Sequence, residues 1–99
     1  MNIEVRIYLG VAEAGVGNSS GYPSGEKHAF VLYVAQKKNS GSDWERAKEF
    51  LIKENWCNVE VRKTGVASKE KQQEHPFSEM YPHALQNGFA LLIYSGIEN

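Results

Sequence analysis

Two short stretches limit what this chain can fold into. Residues 3–9 (Ile-Glu-Val-Arg-Ile-Tyr-Leu) largely alternate apolar and polar side chains, whereas residues 89–94 (Phe-Ala-Leu-Leu-Ile-Tyr) are apolar throughout. Period-two alternation marks a strand with one covered face, and a short unbroken apolar run bounded by turn residues marks a strand covered on both. The chain therefore builds a small sheet whose second face is not simply wet.

The intervening sequence supplies the other layers. Residues 28–36 form a second strand, apolar on both faces. Ser42-Asp43-Trp44-Glu45 matches a capping box, in which the serine hydroxyl and the glutamate carboxylate satisfy free backbone N–H groups at a helix start. The helix it opens runs to about Glu54, places Trp44, Ala47, Phe50 and Leu51 on one stripe, and ends at Asn55 as a left-handed cap. Val59 and Val61 alternate with Glu60 and Arg62 in a third strand. Residues 65–74 are polar and read as loop, and residues 77–87 as a second helix that contains Pro82 and closes at Asn87-Gly88.

The element order is thus β-β-α-β-α-β in a single α+β domain spanning residues 1–99. Strands two and four, apolar on both faces, are expected in the middle of the sheet, with strands one and three at its edges. The expected architecture is a ferredoxin-like two-layer sandwich: a four-stranded, mostly antiparallel sheet with both helices on one face.

Composition narrows the function classes. Twelve acidic and eleven basic residues are interspersed. A near-neutral chain lacks the electrostatic footprint of phosphate-backbone binding, which disfavours nucleic acid as a partner. One cysteine, Cys57, permits no internal disulfide. The opening residues lack a basic segment followed by a long apolar run, and no apolar stretch is long enough to span a membrane. The expectation is a cytoplasmic protein without a membrane association.

No residue set forms a catalytic, cofactor or metal signature. The glycine-rich segment 10–27 lacks both the dinucleotide and the P-loop spacings and leads into a strand rather than a helix. It reads as a flexible connection. His75, Glu79 and His83 have a helical spacing, but Pro76 and Pro82 interrupt it. Cys57 follows a helix C-terminus, where the partial negative charge opposes a thiolate, so it reads as a buried filler.

The surface singled out is the sheet face away from the helices. Strand alternation assigns Tyr8, Val31, Tyr33, Leu92 and Tyr94 to it, rimmed by Arg6 and Arg62 with Glu4 and Glu60. Tyrosines around an apolar centre with an arginine rim have the composition of protein interfaces. The expected function is non-enzymatic protein binding, to a second copy or another protein. The alternative is a small-ligand-binding protein or minor enzyme with its site between segment 10–27 and the sheet, and Tyr22, Lys27, His28 and the sheet tyrosines as contacts. A single nucleic-acid strand stacking on the tyrosines is a third reading, opposed by the charge balance.

Overall fold

The computed structural model describes residues 3–18, 20–38, 44–67 and 77–98. Their order is β1 (Ile3–Ala14), β2 (Lys27–Lys37), α1 (Trp44–Lys53), β3 (Trp56–Val66), α2 (Phe77–Asn87) and β4 (Phe89–Ile97). The strands form one sheet in the order β3-β1-β2-β4, with every neighbouring pair antiparallel. The α+β class and the four-stranded antiparallel sheet agree with the sequence. No described helix is long and apolar enough to cross a membrane.

The layering differs from expectation. Ala47 and Leu51 of α1 pack with Phe30, Leu32 and Val34, while Met80 and Ala84 of α2 pack with Val31, Tyr33 and Ala90. Those β2 residues alternate, so the two helices lie on opposite faces and the sheet is the middle of three layers. The reason is in the strands. β2 and β4 are apolar on both sides, and two helices on one side would leave half of those side chains in water. The expected helices-on-one-face sandwich is thereby corrected.

The strand order also differs. β1 is central and β4 is an edge. β1 does not stop at Leu9 but continues through buried Val11, Ala12 and Ala14. Gly10 permits this continuation. A Cβ there would collide with the Glu60 carbonyl on β3 and crowd the Phe30 ring on β2, so only glycine lets the β1 and β3 backbones approach this closely. The unbroken apolar run of β4, in turn, records a helix on each side rather than a central place in the sheet.

Local signals hold where they are short-range. Asn55 adopts φ 62° after α1, and Gly88 adopts φ 92° after α2 while donating its N–H to the Ala84 carbonyl at 2.7 Å. Pro82 lies within α2 without ending it. The Ser42 half of the capping box and His75 lie outside the described residues.

The glycine-rich connection is shorter and better fastened than segment 10–27 suggested. Ala14 and Glu26 close it by backbone bonding. Buried Asn18 donates to the carbonyls of Gly15 and Tyr22 and accepts from the N–H groups of Ser20 and Tyr22. This side chain replaces the backbone partners that a tight turn would otherwise supply.

Candidate functional site

Register decides which of the sequence-predicted surface residues come together. Tyr8 lies opposite Leu32 and Arg6 opposite Val34, whereas Ile7 lies opposite Tyr33 and Leu9 opposite Val31. Directly opposed residues share a face. Tyr8 and Arg6 therefore belong to the α1 side, and Val31, Tyr33 and Leu92 to the α2 side, with Tyr94 near Tyr33. The proposed single tyrosine face is split between two faces, and this placement is corrected.

On the α1 side, Tyr8 is fully buried and its ring meets Trp44 at 5.4 Å. The Arg6 guanidinium lies 3.7 Å from Glu4. Phe50 stacks on Phe89 at 4.4 Å, and Arg46 caps the same Phe89 ring while donating to the Ala35 carbonyl. These contacts bind α1 across the sheet.

On the α2 side, Tyr33 is buried, and burial, reinforced by the neighbouring Tyr94, pushes its phenol above the ordinary range. Val31 is buried and Leu92 half-buried, but Tyr94 is 44% exposed and Ile97 farther along β4 is 56% exposed. Arg62 sits on β3, at the other edge, with its guanidinium 3.7 Å from Glu60 and 3.8 Å from Glu98. These are half-exposed pairs, which contribute little to stability.

Of the expected patch, Tyr94 is exposed and Leu92 half-buried on edge strand β4, and Arg62 is exposed on the opposite edge. The backbone of β4 adds what the side-chain reading missed. The Ala35 N–H takes the Gly88 carbonyl and the Glu98 N–H takes the Lys27 carbonyl, so odd-numbered residues of β2 direct their backbone groups toward β4. Ala90 and Leu92, opposite Tyr33 and Val31, point back toward β2. Leu91 and Ile93 consequently turn their N–H and C=O groups outward, along an edge that no other described strand pairs. Across the nine residues of β4 there is no charged side chain. That absence was the legible signal.

His28 fixes the far end of this edge. Between its pairing with Ile97 and that of Phe30 with Ile93, β4 carries extra residues in an irregularity. Buried His28 donates from Nδ1 to the Tyr94 carbonyl at 2.9 Å, and its Nε2 lies 3.0 Å from the Glu26 carboxylate. Tyr22 stacks on the imidazole at 4.0 Å and Trp56 meets it edge-on. Tyr22 and His28 are thus engaged within the fold rather than turned toward a ligand. Lys27 is exposed beside them.

Cys57 is exposed on β3, contrary to the expected filler, because it pairs with Glu13 on the side opposite Trp56. Partial desolvation, with the adjoining Glu13 carboxylate, raises its thiol above the ordinary range, which opposes nucleophilic use. Surface hollows beside Ile7 and Leu9, beside Met80 and beside Phe50 measure about 140 to 230 Å³, below the roughly 300–1,000 Å³ of small-molecule sites. Compared with known proteins, the chain matches no family model, no curated protein and no solved structure.

Proposed function

We propose that this chain is a non-enzymatic protein-binding module that works through β4, by adding a strand from another polypeptide to the sheet and covering Leu92, Tyr94 and Ile97. The observation that carries the reading is the uncharged outer edge of β4, where Leu91 and Ile93 direct backbone donors and acceptors outward beside half-exposed apolar side chains. Such an edge is a template for strand addition, and soluble proteins ordinarily blunt it with charge, proline or a covering element. Main-chain bonds supply the affinity in this mode, and the pockets for alternate side chains supply the selectivity.

The ligand-site alternative draws no comparable support, since Tyr22 and His28 hold the β1–β2 connection to Trp56 and Tyr94. Affinity capture tests the proposal with three baits. These are the wild type, the double variant Tyr94→Lys/Ile97→Lys on β4, and Val66→Lys on the opposite edge. The expected result is a defined set of bound chains kept by Val66→Lys and lost with the β4 double variant. Binding that survives the β4 lysines contradicts the proposal.

A further inference from the structure

Resting on that reading, we infer that the strand added to β4 is β4 of a second copy, giving a two-fold dimer with a continuous eight-stranded antiparallel sheet. Two-fold pairing sets residues near the axis beside their own copies, so a lysine or glutamate near the middle of the strand would face a like charge. β4 bears none over Phe89–Ile97. Its outward groups are also self-complementary in phase. With the axis at Leu92, Leu91 of one copy exchanges both backbone bonds with Ile93 of the partner subunit, and the reciprocal pair forms by symmetry.

Side chains fit the same axis. Tyr94 falls opposite the partner's Ala90, the smallest side chain on that face of β4, and its exposed ring gains cover there. The bulge that His28 holds begins beyond Ile93, so the central Leu91–Ile93 pairs lie clear of it and only Tyr94 stands at its margin.

The other edge explains why assembly stops at two. β3 shows register shifts against β1 between Leu9 and Gly10 and between Val11 and Glu13, carries Asn58 at φ 47°, and exposes Glu60, Arg62 and Lys63. Bulges and charges of this kind prevent a second strand from docking. A β4–β4 contact is isologous and closes, while a β3–β4 contact would propagate into a fibre.

Light scattering on the full chain, together with residue-resolved amide exchange, tests the dimer. The expected result is a species of twice the 11.1 kDa chain mass, with slow exchange at Leu91 and Ile93 that becomes fast on dilution. Tyr94→Lys should weaken association by roughly tenfold or more, and Val66→Lys should leave it unchanged. Thermal melts confirm that both variants fold. A chain that stays monomeric with Leu91 and Ile93 exchanging fast overturns the second-copy inference but leaves the wider binding reading to the capture experiment. A monomer in which those amides are slow shows the edge covered by the chain itself, and overturns both. A dimer dissociated by Val66→Lys and not by Tyr94→Lys uses the opposite edge, and overturns both as well.

Discussion

The two edges of this sheet are built by opposite rules. β3 is irregular, charged and turned by a left-handed asparagine, and it is tied to β1 at a point so close that only glycine fits. β4 is uncharged along its length and has an aromatic and an isoleucine half in water. Both strands face the same hazard, unpaired backbone groups at a sheet margin. Only β3 is protected in its own sequence. An edge left unprotected opposite a protected one is the contrast from which strand addition is proposed.

Perturbing the glycine contact should break the β3 side most severely. Gly10→Ala forces β1 and β3 apart at Glu60, and the expected destabilisation is about 3 kcal/mol or more by urea unfolding. A near-neutral alanine would mean that the β3 edge is not held at that approach. On the β4 side the largest internal effect belongs to His28. His28→Leu leaves the Tyr94 carbonyl without its imidazole donor and should cost about 1–3 kcal/mol, with faster amide exchange at 94–97. Unchanged exchange there would show that the β4 bulge does not depend on the ring.

The smallest effect is electrostatic and sharpens the contrast at β3. The Cys57 thiol is raised by partial desolvation and by Glu13, and the Tyr33 phenol by burial and Tyr94. In both cases the folded state favours the protonated form. The stability this contributes is complete below the ordinary thiol and phenol ranges and is lost as pH rises through the raised values. Stability should therefore decline in alkaline solution above about pH 9. Glu13→Gln should lower the thiol value and speed alkylation of Cys57 at a fixed mildly alkaline pH. An unchanged rate would remove Glu13 from the account of that thiol.

How far the sequence could be read follows from the range of each signal. The stripe Trp44, Ala47, Phe50 and Leu51, the Asn55 cap and the Asn87-Gly88 stop all depend on residues within a turn or two, and the structure has them as expected. Gly10 misled because a glycine that ends a strand and one that admits a close neighbour look alike until Glu60 is placed beside it. The tyrosine face failed for a related reason. Alternation fixes which residues of one strand share a side, but only register fixes which sides of two strands match, and here Tyr8 falls opposite Leu32 rather than Tyr33. Tyr94 is exposed and Leu92 half-buried, as the edge position of β4 allows.

Amide exchange at Leu91 and Ile93 against Thr64 and Val66, in the free monomer and in the assembled state, separates the two edges. Strand addition at β4 requires fast exchange at Leu91 and Ile93 in the monomer, marked slowing on assembly, and no change at Thr64 and Val66. Slowing confined to Thr64 and Val66, or slow Leu91 and Ile93 in the dilute monomer, would contradict it.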